Sequence, residues 1–221
     1  MNATNLNDPL TSVIPTLEGR VLQVLARTDF PLSGSRVASF VTSGSNAGVR
    51  NALARLVEHG MVLSSSAPPA VLYVANRKHL MWDAIEQMVI ASDTARLRLF
   101  RMVEGIVRSE LGDDEVPYTS VALFGSTARG DNYPGSDIDL LLVTRNDSAT
   151  DSNVDALVSR LISEVQDATG NEVNVYPASR ARLDELVGSR DPMVASWIVD
   201  ARTLVGPDIT SRLKGGSWPA S

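Results

Sequence analysis

Apolar positions recur along the chain at two different periods, and the changes of period mark out the elements. Leu17, Val21, Val24 and Leu25 fall at helical spacing, and Phe30-Pro31-Leu32 breaks that pattern. Ser33 or Ser35 can cap a second helix reaching about Val41, with Val37, Ala38 and Val41 inward. After Thr42-Ser43-Gly44 a third helix is expected from near Ser45 to His59-Gly60. Val49, Leu53 and Leu56 form its buried stripe, while Ala47, Arg50, Asn51 and Ala54 lie on the opposite side. Met61 to Ser65 and Val71 to Ala75 then read as two strands joined through Ser66-Ala67-Pro68-Pro69.

Asn76 can cap the next helical stretch, whose apolar face carries Leu80, Ala84, Ile85, Met88 and Val89. Leu97, Phe100, Met102, Val103 and Ile106 continue it towards Leu111-Gly112, as one kinked helix or two. Such a connector couples two domains rigidly or supports a dimer. Val121 to Phe124 and Leu140 to Val143 are short apolar runs expected as strands. Between them lie Gly125-Ser126, a helical turn from Thr127 to Gly130 that Ser126 can cap, and a polar loop. Asn153 to Thr169 is amphipathic at helical spacing, and Glu172 to Tyr176 alternates as a strand. Helical material begins at Ser179 or Asp184 and again at Pro192, and Arg202 to Val205 is a last short strand. The ending KGGSWPAS reads as disordered, as does the start MNATNLNDPLTS.

Composition changes this picture little. With 43% hydrophobic and 21% charged residues among 221, the chain has the make-up of a soluble globular protein of one large or two small domains. It has no run long enough to span a bilayer and no secretory signal at its start, so a cytoplasmic location is expected. The absence of cysteine excludes disulfides, thiolate metal sites and a cysteine nucleophile. His59 and His79 stand apart and read as structural or surface residues. The net charge of −6 is uneven: residues 1–78 carry +3 and residues 79–221 carry −9. That asymmetry hints at a polyanion partner for the first part.

The chemistry concentrates in VALFGSTARGDNYPGSDIDLLLVT, Val121 to Thr144. Gly125 lets backbone approach a ligand, and free N–H groups at a helix start suit phosphate. Asp137 and Asp139, two apart on one strand, leave by the same face. Two carboxylates about 6 Å apart repel by roughly 3 kcal/mol at an effective dielectric near 20. A divalent cation with oxygen ligands turns that repulsion into a site. Gly125-Ser126, ten residues, then Asp137-x-Asp139 resembles the GSx10DxD signature of minimal nucleotidyltransferases of the polymerase β-like superfamily, and Arg129, Gly130 and Ser136 fit its wording. The resemblance extends loosely over residues 117–206.

It implies that Gly125, Ser126, Arg129 and Ser136 bind the triphosphate of an NTP, ATP first among them, and that Asp137 and Asp139 ligate Mg2+ or Mn2+. Arg129 either neutralises phosphate charge or pairs with Asp131. The resembled family also uses a third acid on a neighbouring strand, where this chain has Asn174. Glu172 shares that strand face and is the substitute acid; otherwise a partner supplies it, or the domain binds nucleotide with little turnover.

The N-terminal pattern resembles a winged helix-turn-helix, with SGSNAGVRNALARLVEHGMV as recognition helix and wing. That resemblance implies DNA contacts from Ser45, Asn46, Arg50 and Asn51, and from Arg36 to phosphate. A dimerisation or docking module without DNA is the plainer use of such a fold.

The expected fold class is therefore α+β. A tail (1–14) precedes a winged helix-turn-helix (15–76), a helical connector (77–112), a nucleotidyltransferase domain with a mixed sheet (113–208) and a second tail (209–221). The function expected is Mg-dependent transfer of a nucleoside monophosphate, AMP in the first instance, to a hydroxyl of protein, RNA or a small molecule. Related enzymes often belong to toxin–antitoxin pairs. The alternatives are a DNA-binding regulator that senses nucleotides without catalysis, and an antibiotic-modifying adenylyltransferase. A homodimer is compatible with each.

Overall fold

The computed structural model describes residues 4–130, 136–145 and 152–218. They fall into two compact units, one of Asp8–Ala95 and one in which residues up to Asn7 join those from Arg96 onward.

The first unit holds α1 (Leu17–Ala26), β1 (Leu32–Ser33), α2 (Gly34–Phe40), α3 (Asn46–Glu58), β2 (Val62–Ala67) and β3 (Ala70–Ala75). Ser33 caps α2 and Ser45 caps α3, each side-chain oxygen accepting the backbone N–H of the third helical residue, Arg36 and Gly48. The three strands form an antiparallel sheet in the order β1-β3-β2. Strand β1 was hidden in a segment that read as a helix breaker; Leu32 and Ser33 pair with Tyr73 and Leu72, and tertiary pairing alone makes them a strand. Val21, Leu25, Val37, Val49, Leu53 and Leu56 close the core, as their spacing requires.

The connector is a single helix, α4 (Trp82–Leu111), of 30 residues. It starts later than the apolar pattern suggested. Leu80, expected on the buried face, is 94% exposed, and Trp82 is the buried anchor instead. His79 lies in the turn before it, where its Nδ1 accepts the Met81 N–H.

The second unit contains β4 (Ser120–Phe124), α5 (Gly125–Arg129), β5 (Ile138–Thr144), α6 (Ser152–Thr169), β6 (Val173–Ser179), α7 (Arg180–Gly188), α8 (Pro192–Asp200), β7 (Arg202–Val205) and α9 (Ile209–Leu213). Its sheet runs β6-β5-β4-β7, with β5 and β6 parallel and the other pairs antiparallel, so the architecture is α+β with a mixed sheet. Alternation along the strands splits the core in two. Val121, Leu123, Ile138, Leu140 and Leu142 pack against Leu157 and Leu161 of α6 and Val103 and Val107 of α4. Ala122, Leu141 and Val143 face Leu183 of α7, Trp197 of α8 and Ile209 of α9.

Both stretches expected as tails include packed residues. Leu6 is buried in the second unit and Leu10 in the first, and the Thr4 N–H donates to the Thr169 carbonyl. Near the other end, α9 is capped by Asp208, and Trp218 packs beside the α7–α9 core. Isolated apolar residues in polar surroundings give no periodic signal, which is why pattern reading passed over them. Among the described residues no helix is long and apolar enough to cross a membrane.

Candidate active site

The site is assembled where three strands end side by side. In the sheet register Phe124 of β4 lies opposite Asp139 of β5, and Asp139 lies opposite Asn174 of β6. Asp137 and Asp139 continue the row of Leu141 and Val143, so they emerge on the face covered by α7–α9, while Ile138 is fully buried on the other face. Both acids are half-exposed, as is Ser126, so a ligand can reach all three.

Gly125 follows Phe124 directly and turns the chain into α5 with φ +74°. A Cβ there would stand 2.6 Å from Asp139 Oδ2. The missing side chain is thus what lets Asp139 lie against the turn. Helix α5 begins at Gly125 rather than after Ser126. Phe124 is its N-cap and makes no side-chain capping bond, so Ser126 sits within the first turn and is not the expected cap. The N–H groups at that turn have no partner inside the helix.

Neighbouring residues fix the acids. Thr127, buried on α5, donates its hydroxyl to the Asp137 carbonyl at 2.9 Å. Asn171, also buried, donates to the Ser136 carbonyl at 2.8 Å and exchanges hydrogen bonds with Thr4. Asn174 donates from Nδ2 to Asp139 Oδ1 at 3.2 Å and to Asp137 Oδ2 at 3.4 Å. Its amide therefore bridges the two carboxylates at the strand position where a third acid was sought.

Glu172 is exposed and precedes β6, its carbonyl accepting the Ile138 N–H. Among the described residues no three acids or histidines gather closely enough to hold a metal. The two aspartates supply hard oxygen donors of the kind that divalent cations prefer.

Arg129 closes α5 and pairs with Asp200 of α8, Nη1 to Oδ2 at 2.5 Å, with the Asp200 side chain only 4% exposed. Ser196 Oγ donates to the same carboxylate at 3.4 Å. Asp200 gave no signal in the sequence beyond ending a helix, whereas Asp131, the partner considered for Arg129, lies outside the described residues.

In the first unit, Ser45, Asn46, Arg50 and Asn51 are all exposed on or beside α3, and the Ser45 hydroxyl is used as its cap. Arg36 is exposed and lies over the Phe40 ring at 4.4 Å. On α4, Arg96 bonds to the Leu6 carbonyl and Asn7, and Arg108 pairs with Glu104 and Asp113.

Residues 103–203, which include the Gly125 turn and both aspartates, match the family model described as a nucleotidyltransferase domain. That match spans somewhat less than half of the chain. No curated protein matches the chain. Among solved structures, a toxin–antitoxin with AMP-PNP aligns over 50% of this chain and 78% of its own, at 18% identity and a TM-score of 0.32. A mutant of the toxin–antitoxin MntA-HpeT covers 52% and 78%, at 15% identity and a TM-score of 0.34. TrmBL2, described as an archaeal chromatin protein with a novel mode of DNA binding, covers 86% and 77%, at 12% identity and a TM-score of 0.30.

Substituting Gly125 by Ala is expected to cost roughly 1–2 kcal/mol of stability from the positive φ alone. A Gly105→Ala control, where a Cβ has open space around it, should show no such loss. Thermal melts of the two variants make the comparison.

Proposed function

We propose that the chain is a metal-dependent nucleotidyltransferase that moves a nucleoside monophosphate, AMP first, from an NTP to a hydroxyl group. The observation that supports this most directly is the gathering of Asp137 and Asp139 beside the Gly125 turn, within residues that match the nucleotidyltransferase family model. A divalent cation held by these two carboxylates would neutralise triphosphate charge and polarise the transferred phosphoryl group. Gly125 and Ser126 offer backbone N–H groups, and Ser126 its hydroxyl, to the β- and γ-phosphates. Arg129, held by Asp200, and Ser136 lie along the same motif to receive the leaving pyrophosphate. The acceptor oxygen forms its bond to the α-phosphorus as the bond to pyrophosphate breaks. Glu172, exposed at the start of β6, is the carboxylate assigned to take the hydroxyl proton.

The acceptor is a protein, an RNA or a small molecule, and a toxin–antitoxin setting is a context that the sequence resemblance implies. Incubation with labelled NTPs, Mg2+ and cell extract tests the reading. Label transfer that disappears in Asp137→Ala supports it, and nucleotide binding with no transfer to any acceptor overturns it.

The first unit is read as a winged helix-turn-helix that binds DNA through α3, supported by the exposure of Arg50 and Asn51 on one helix face. Arg50→Ala is expected to weaken duplex binding by roughly 1–3 kcal/mol if Arg50 reads a base, or to flatten the salt slope by about one if it meets phosphate. Unchanged binding at every salt concentration removes Arg50 from the interface.

Asn174 favours a second reading, a DNA-binding regulator that senses nucleotide without turnover, because an amide bridges the two acids where a third carboxylate would stand. DNA affinity that changes with NTP, in a protein that transfers nothing, would establish it.

A further inference from the structure

Among the described residues six buried side-chain polar atoms lack a hydrogen-bond partner; one, Asp8 Oδ1, belongs to the first unit and the other five to the second. Four are N–H donors: Nε of Arg145, Arg180 and Arg212, and the Trp218 indole nitrogen. A fifth is the hydroxyl of Thr119, the residue after Tyr118. Buried polar groups are nearly always paired, so such a concentration calls for a missing acceptor.

The same side chains form an alternating ladder. The Arg145 guanidinium lies 3.6 Å from the centroid of the Tyr118 ring, and Arg180 lies 5.6 Å from it. Arg180 is also 4.7 Å from the Trp218 ring, which Arg212 approaches at 5.8 Å. Three cations thus alternate with two aromatic rings, with Arg180 between the rings and Arg145 and Arg212 at the outer ends.

Countercharge is short. Among the described residues Arg212 pairs with Asp184 at 2.5 Å and donates to the Gly216 carbonyl, Arg180 donates to the Tyr118 carbonyl, and Arg145 has Glu115 at 3.9 Å. Burial and the neighbouring Arg145 charge push the Arg180 pKa below its ordinary value. Cation–π contacts offset part of this cost, yet they supply no acceptor for the N–H groups.

The geometry points to a binding site for a phosphate-class oxyanion at the Arg145–Arg180–Arg212 ladder, separate from the candidate active site. Arg145 follows the last residue of β5, six residues beyond Asp139, which on an extended strand is about 20 Å away. An oxyanion supplies several acceptor lone pairs and the missing negative charge together, which a water molecule does not. Arginine forks suit it better than other cations, since their planar donors match phosphate oxygens in pairs. The inference is independent of the transfer reaction proposed above.

Nuclear magnetic resonance of the whole chain, without divalent cations and at constant ionic strength, tests it. Inorganic phosphate is expected to shift the Nε–H signals of the three arginines and the Trp218 indole signal saturably, while chloride does not. Arg145→Gln should weaken that response roughly ten- to a hundred-fold. Trp218→Phe keeps a ring in the stack, removes one donor, and should weaken it less. A 5′-phosphorylated oligonucleotide titrated in parallel separates sources: a response to phosphate itself identifies a free ion, and a response to the oligonucleotide alone identifies a nucleic-acid backbone. If neither moves these signals, water is the acceptor and the proposal falls. A response confined to the Asn174 side-chain amide places the ion at the other end of β5 and overturns it equally.

Discussion

Asp137→Ala is expected to reduce nucleotidyl transfer by about a thousand-fold or more, close to 4 kcal/mol of lost transition-state stabilisation. The size follows from what the residue is asked to do. Asp137 and Asp139 are the only acids that the described strands bring together at the turn, so losing one halves the negative charge available to a divalent cation. Asp137 is not buried, and its backbone carbonyl still accepts from Thr127 whatever its side chain, so the fold should survive the change. Steady-state transfer of labelled nucleotide, alongside a thermal melt, separates lost chemistry from lost structure. Retention of even a tenth of the activity would mean that the acids do not carry the reaction. Asn174→Asp is the complementary test: adding a carboxylate between the two should raise transfer if the site lacks one, and should leave a true nucleotide sensor silent.

Trp197→Ala is expected to destabilise the second unit by about 3–5 kcal/mol, the range for removing a large buried aromatic. Trp197 is fully buried, meets Phe124 edge-on with ring centroids 6.0 Å apart, and lies 5.3 Å from Tyr176. Phe124 is the residue before Gly125 and lies opposite Asp139 in the sheet, so the cavity would open directly behind the site. Chemical denaturation reads the stability loss. A loss under 1 kcal/mol would show that the α8 face collapses around the gap and contributes little to holding the turn.

Much of the site could be read from local pattern. Gly125-Ser126 and Asp137-x-Asp139 are near enough in sequence that a strand, a turn and a second strand bring them together under short-range rules alone. The helix caps Ser33, Ser45 and Ser179 follow the same local chemistry. What escaped was non-local. Asp200 meets Arg129 across 71 residues and Asn171 meets Ser136 across 35, and neither pairing has a spacing that a single chain advertises. Strand β1 and the packing of Trp218 were missed for the same reason, since each exists only because a distant segment offers it a partner.

The sequence by itself determined the periodic elements, the α+β class and the two acids, because these depend on side-chain alternation and on backbone chemistry within a few residues. Tertiary structure alone decided that Asn174 bridges those acids, that Asp200 holds Arg129, and that three arginines alternate with the rings of Tyr118 and Trp218. Each of those outcomes depends on sheet register and on helix docking, which bring together residues far apart in the chain and leave no periodic trace in the order of its amino acids.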